Sequence, residues 1–104
     1  MSGATDAGST KIGMTDMRES ALQRQIIRYL RERGAYVFKV VGSPLQQRGT
    51  PDLLVCWQGK FIALEIKVPG EKATLLQDHD IHKIREAGGQ GLVVRSVEDV
   101  GVIL

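Results

Sequence analysis

The sequence has little cysteine and no long apolar run. Its one cysteine, Cys56, excludes an internal disulfide and a zinc centre built on several cysteines. No apolar run approaches the roughly 20 residues that cross a bilayer, so we expect no membrane partner. Cys56 lies inside a short apolar run, and we expect it in the core.

The sequence also has little excess of either charge, because the net charge is only +2 over 104 residues. The distribution is uneven: residues 18–50 carry seven basic and two acidic side chains, whereas residues 70–104 carry four and six. A basic first half is typical of proteins that contact nucleic-acid phosphates. A solvated helix face would give the same excess, so charge alone leaves both interpretations open.

The length leaves room for one compact domain and one active site. Residues 1–14 have low hydrophobicity and no periodicity. We therefore predict a flexible N-terminal tail over 1–14 and a single domain over 15–104. The first residues lack the basic start and apolar stretch of a secretory signal, and we expect an intracellular protein.

Apolar periodicity from Thr15 predicts a first helix that ends at Gly34. Runs of β-branched and aromatic residues then predict three strands, over residues 36–41, 53–57 and 61–67. The dipeptide Gln58-Gly59 is typical of a tight hairpin, so the second and third strands should pair antiparallel.

The second half alternates helix and strand. A helix begins at Thr74 and ends at Gly88-Gly89, a fourth strand covers residues 92–95, and Ser96 caps a last short helix. The order α-β-β-β-α-β-α predicts an α/β fold, in which a small mixed β-sheet is flanked by helices.

Three charged residues fall on the predicted hairpin. Glu65 and Lys67 point to the same face because strand side chains alternate, and they lie within the apolar run 61–68. Two ionised groups there need a partner or a metal to offset their desolvation. Asp52 begins the antiparallel neighbour, so it should lie beside Glu65.

Two adjacent carboxylates repel, and a divalent cation keeps both ionised. Mg²⁺ prefers oxygen ligands and completes its shell with water and phosphate oxygens, which makes Asp52 and Glu65 candidate ligands. Lys67 would stabilise charge on a phosphoryl transition state or orient the attacking water. Alone, residues 49–52 are more typical of a turn that starts a strand, and Glu65 with Lys67 of a structural ion pair or a strand end that reaches solvent.

This arrangement resembles the PD-(D/E)XK nuclease signature, because Pro51-Asp52 is followed thirteen residues later by Glu65-Ile66-Lys67. Within that superfamily the chain is similar to the VRR-NUC branch over residues 17–104. The additional residues that carry the resemblance are Glu19 in the first helix, Gly49 of a Gly-x-Pro-Asp turn, Gln77 in the next helix, and the segment 93–96.

The resemblance implies a restriction-endonuclease-like fold and a role for each matching residue. The implied metal ligands are Asp52, Glu65, Glu19 and the backbone carbonyl of Ile66. The resemblance further implies Lys67 as the catalytic lysine and Gln77 as an auxiliary catalytic group.

Two of these residues have alternative interpretations. Glu19 lies on the apolar stripe of its helix, so it could face the sheet, but an acid in a first turn also complements the helix dipole. Gln77 lies three residues after Thr74, in the spacing of a capping box. Both interpretations of each residue stay open on sequence.

Arginines provide the candidate DNA contacts. Arg24, Arg28 and Arg31 share one helical face, and Arg48 is nearest in sequence to the predicted site. His79 and His82 are three residues apart, without the carboxylate register of a zinc helix, so we expect them at the surface.

The resemblance implies a Mg²⁺- or Mn²⁺-dependent endonuclease that cuts branched DNA, as a Holliday junction resolvase does, and that acts as a homodimer. It also implies the cytoplasm of a bacterial or phage-infected cell. The alternatives are a flap or restriction-type nuclease that cuts linear DNA, and a non-catalytic DNA-binding module of the same fold.

Overall fold

The computed structural model describes residues 3–42 and 49–104, and for residues 3–16 it describes only the helical backbone. The helices are α1 (Gly3–Glu32), α2 (Leu75–Glu86) and α3 (Val97–Gly101), and the strands are β1 (Tyr36–Lys39), β2 (Leu53–Trp57), β3 (Lys60–Ile66) and β4 (Gln90–Val94). The predicted α/β class and element order are therefore confirmed.

Helix α1 begins at Gly3, well before the start expected at Thr15. Low hydrophobicity limits what a segment can bury, but it does not prevent a helix, and Ala4, Ala7 and Lys11 all favour one. The division into a tail over 1–14 and a domain over 15–104 stays a prediction. No helix within the described residues is long and apolar enough to cross a membrane.

The four strands form one mixed sheet in the order β1-β2-β3-β4. The pairs β1–β2 and β2–β3 are antiparallel, whereas β4 runs parallel to β3 after the crossover through α2. Gln58 and Gly59 have φ values of 49° and 78° in the two-residue turn between β2 and β3. Positive φ at both positions is typical of a tight hairpin, which fixes the register of β2 against β3.

One face of the sheet, here called the α1 face, packs against α1 and α3. Alternate strand residues reach it and meet apolar residues of the two helices. The buried core comprises Ile26, Leu30, Ala35, Val37, Leu53, Val55, Ile62, Leu64, Ile66, Val94 and Val100. The indole of Trp57 donates a hydrogen bond to the carbonyl of Arg33 at 3.2 Å, which ties the end of α1 to this face.

The opposite face, here called the α2 face, is covered over β3 and β4 by α2. Gly91 permits this close approach, since a Cβ there would lie 2.9 Å from Cγ2 of Ile81. Over β1 and β2 the same face is exposed within the described residues. Tyr36 is 70% and Phe38 53% exposed, and Phe61 of β3 is 48% exposed beside them.

Cys56 is exposed, so the expectation that it lies in the core is wrong. It pairs with Tyr36 on one side and with Phe61 on the other, which places all three on the α2 face. The apolar run around Cys56 contains residues of both faces, and α2 does not reach β2. Burial at this position therefore depends on the helix arrangement and not on the run itself.

Candidate active site

Asp52 lies at the edge of the hairpin, directly before β2. Leu53 pairs with Leu64, so Asp52 lies opposite Glu65, as strand alternation predicts. Its Oδ2 accepts a hydrogen bond from the backbone N–H of Ile66 at 2.8 Å, and its carbonyl accepts one from Val40 at 2.9 Å. Both the side chain and the backbone of Asp52 are therefore held against neighbouring strands.

Glu65 is 2% exposed and lies near the end of β3 on the α2 face. Its Oε2 accepts a hydrogen bond from Nε2 of Gln77 at 2.8 Å and lies 3.7 Å from Nζ of Lys67. Its Oε1 is buried and accepts no hydrogen bond from an N–H group. One carboxylate oxygen is thus held by a hydrogen bond and an ion pair, while the other has no N–H donor.

The surroundings of Glu65 disfavour its charge. Burial, together with the neighbouring charge of Asp52, raises the pKa of Glu65 from 4.5 to about 8. Lys67 opposes this shift, whereas a hydrogen bond that the protonated acid shares with Asp52 and the charge of Glu19 contribute to it. Two carboxyl groups and one ammonium group therefore share a poorly solvated site.

Lys67 follows β3 and carries the cation of this group. Its backbone N–H donates to the carbonyl of Val94 at 3.0 Å, which anchors it to β4. Its side chain is 14% exposed, so the ammonium lies between the buried Glu65 and solvent. The position allows Lys67 to reach a substrate at the surface while it remains beside the carboxylates.

Gln77 forms the predicted capping box and also contacts the buried acid. Its Oε1 accepts from the backbone N–H of Thr74 at 2.8 Å, and its own N–H donates to Oγ1 of Thr74 at 3.1 Å, which completes a capping box. Its Nε2 remains free to donate to Glu65 at 2.8 Å. The helix cap and the contact with the acid use different atoms of one amide.

Gly49 makes a contact that the sequence did not reveal. Its φ is +86°, and a Cβ at this position would lie 2.5 Å from the carbonyl oxygen of Leu76. The turn before Asp52 therefore packs directly against the first turn of α2, at Leu76 and Gln77. A glycine in a Gly-x-Pro-Asp turn predicts the φ angle but not this second contact.

Glu19 and the arginines of α1 lie on different sides of that helix. Glu19 is half-buried and close enough to Glu65 to raise its pKa. Arg24, Arg28 and Arg31 are exposed and lie roughly 120–180° around the helix axis from Glu19. The structure therefore does not bring these arginines into the site, and Arg48 lies outside the described residues.

The remaining candidates lie away from the carboxylates. His79 is exposed, and His82 is exposed beside Glu86 at 3.1 Å, in agreement with their expected surface positions. Within the residues that the structure describes, no group of three or more His, Cys, Asp or Glu side chains is arranged to hold a metal.

Comparison with known sequences identifies the family. A profile of the archaeal Holliday junction resolvase (Hjc) family matches residues 14–100. The chain belongs to this resolvase family. It is also similar to p44 of Acyrthosiphon pisum secondary endosymbiont phage 1, which carries the name of a nuclease, with 36% identity over 89 residues that cover 85% of this chain and 92% of p44.

Solved structures agree with this assignment. A VRR-NUC domain with 25% identity superimposes with a TM-score of 0.70, over 83% of this chain and 92% of that domain. A second VRR-NUC domain protein, 20% identical, has a TM-score of 0.66 and shares the fold over 82% and 84% of the two chains. The Hjc resolvase of Archaeoglobus fulgidus, 17% identical, has a TM-score of 0.60 over 74% and 67%. This chain is thus a nuclease of VRR-NUC type.

Proposed function

We propose that this nuclease is a DNA endonuclease that depends on a divalent cation, Mg²⁺ or Mn²⁺. The observation that carries the proposal is the buried Glu65 beside Asp52, with Oε1 of the ionised Glu65 lacking an N–H donor. A buried polar atom without a partner costs free energy, and a bound cation would compensate for it. The donor set therefore fits a hard cation that takes oxygen ligands.

The ligands would be Asp52, Glu65 and the backbone carbonyl of Ile66, with Glu19 as a further acidic group of the site. Solvent and phosphate oxygens would complete the coordination shell, since Mg²⁺ usually keeps several such ligands. When bound, the cation supplies polarisation of the phosphoryl group and a lowered pKa of the bound water.

Lys67 would be the catalytic lysine, for which its ammonium beside Glu65 is the supporting observation. A cation there can stabilise the negative charge that develops on the phosphoryl oxygens, or can orient the attacking water. Gln77 would act as an auxiliary group through its hydrogen bond to Glu65. Asp52, Glu65 and Lys67 are all present, which favours catalysis over a non-catalytic module.

The proposed substrate is branched DNA, because the family is one of Holliday junction resolvases. The exposed Arg24, Arg28 and Arg31, together with Arg48, would contact phosphates and so contribute affinity without base specificity.

We further propose a homodimer, since two symmetric sites suit paired cuts across a junction. The exposed apolar residues of the α2 face support this assembly. The phage relative favours the cytoplasm of a bacterial or phage-infected cell.

A cleavage panel would test the proposal. Purified protein is incubated with a synthetic four-way junction, a flap, a linear duplex and a single strand, each with Mg²⁺ and with EDTA. We expect the junction to be cleaved in the reactions that contain Mg²⁺ and to stay intact in those that contain EDTA. Equal cleavage of a flap or linear duplex would favour the flap or restriction-type alternative, whereas binding without any cleavage would favour the non-catalytic module.

A further inference from the structure

We propose that Gln77 is a positioning residue for Glu65: the N-terminal cap of α2 fixes the orientation of its amide, which holds Oε2 of Glu65 and leaves Oε1 to face a divalent cation. This inference rests on the metal dependence proposed above. It assigns to this glutamine a task separate from that of the metal ligands.

The cap determines which amide atom faces Glu65. A backbone N–H can only donate, so the amide atom 2.8 Å from the N–H of Thr74 must be the oxygen. The other amide atom is then the NH₂ group, which donates to Oε2 of Glu65 at 2.8 Å. A flipped amide would place NH₂ against an N–H and oxygen against a carboxylate, so both hydrogen bonds would be lost.

The position of Gln77 is fixed as well as its orientation. Its backbone N–H is held by Oγ1 of Thr74 at 3.1 Å, in the first turn of α2. Gly49 packs against the backbone of Leu76 and Gln77 so closely that a Cβ would collide with it. The turn that precedes Asp52 therefore sets the distance between α2 and the carboxylates.

The two carboxylate oxygens of Glu65 therefore have different contacts. Oε2 is held by Gln77 at 2.8 Å and lies 3.7 Å from Lys67, whereas Oε1 accepts no hydrogen bond from an N–H group. Asp52 is constrained in a similar way, because its Oδ2 accepts from Ile66. A carboxylate held by one oxygen offers the other in a fixed direction, which lowers the cost of ordering it when a cation binds.

Calorimetric titration with Mn²⁺, in the absence of DNA, tests the proposal without measuring activity. Gln77→Met removes both amide contacts at similar volume, and Gln25→Met is the matched control, because it makes the same substitution at an exposed position of α1. We expect Gln77→Met to weaken Mn²⁺ binding by about tenfold to hundredfold, and Gln25→Met by less than about threefold. Unchanged affinity in Gln77→Met, or an equal loss in both variants, would overturn the proposal.

A double-mutant cycle in metal-free protein tests the contact independently. The losses of unfolding free energy in Gln77→Met and Glu65→Met should be non-additive in the double variant, whereas those of Gln25→Met and Glu65→Met should be nearly additive. Additivity between Gln77 and Glu65 would overturn the proposed contact whatever the metal result. Wild-type protein that binds no Mn²⁺ but retains this coupling would refute the metal dependence and still support Gln77 as the residue that holds Glu65.

Discussion

The two faces of the sheet have different contents and different tasks. On the α1 face the strands present only apolar side chains to the core, and α1 and α3 close over them. On the α2 face the same strands present Glu65, the one buried charged residue in the described part of the chain, and α2 covers only β3 and β4. The large apolar core therefore lies on one face, while the groups suited to chemistry lie on the other.

The first turn of α2 provides a donor to the buried acid. The N-terminus of a helix has unpaired N–H groups and a positive dipole end, which suit a neighbouring acid. Thr74 and Gln77 satisfy two of these N–H groups and still leave one amide donor for Glu65. This hydrogen bond offsets part of the free-energy cost of burying the acid of Glu65, which a purely apolar cover would not do.

The largest expected effect is on the α2 face. Lys67→Ala should lower the cleavage rate by about 10²–10³-fold, because a cation that stabilises developing charge would be lost. DNA affinity, measured by a filter or anisotropy assay, should change little. Lys83→Ala, at an exposed position of α2, is the matched control and should cleave normally. Full activity in Lys67→Ala would remove this lysine from the mechanism.

The next effect is on the α1 face. Leu64→Ala should lower the free energy of unfolding by about 2–5 kcal/mol, because Leu64 is fully buried and leaves a cavity. Tyr36→Ala, on the exposed part of the α2 face, should cost much less, and urea denaturation would compare the two. Equal losses would mean that the two faces do not differ in their contribution to stability.

The third effect is a pH dependence that belongs to Glu65. Its pKa is raised from 4.5 to about 8, so between these values the folded state binds more protons than the unfolded state. The stability that this group contributes to the metal-free protein should therefore be fully present below about pH 4.5 and be lost as pH rises towards 8, with a slope of at most about 1.4 kcal/mol per pH unit.

Urea denaturation in EDTA at several pH values would measure that slope. Glu65→Gln should lack this component and should be more stable than the wild type near pH 8. An identical pH profile in the two proteins would show that Glu65 is not in a desolvated site.

The smallest effect on folding is expected at the exposed apolar residues. The combined substitution Tyr36→Ser and Phe38→Ser should change the stability of the monomer little, because both side chains are exposed. It should nevertheless shift the proposed dimer towards monomer in sedimentation velocity. Val102→Ser, 85% exposed near the C-terminus, is the control. A dimer unaffected by the double substitution would place the interface elsewhere.

Local patterns predicted part of the site correctly. Strand alternation and a two-residue hairpin are short-range properties, so the proximity of Asp52 and Glu65 followed from spacing alone. The spacing of Thr74 and Gln77 predicted a capping box equally well. It did not show that the same amide also reaches Glu65, since that contact joins two elements through their packing.

Other features were predicted wrongly or could not be predicted, because they too depend on how separate elements pack together. Cys56 is exposed because α2 stops short of β2, and no feature of its own strand encodes that limit. The arginines of α1 share a face as periodicity predicts, but their separation from the carboxylates depends on which side of α1 meets the sheet. The contact of Gly49 with α2 likewise depends on how the crossover returns to the hairpin.

The sequence by itself determined the order of elements, the hairpin register, the pairing of Asp52 with Glu65, and the family resemblance. These depend on interactions between residues close in the chain or on the period of a strand. Only the tertiary structure decided which face α2 covers, which oxygen of Glu65 is held, and where the exposed apolar residues lie. Packing of distant segments fixes those features, and it carries no short-range signal in the chain.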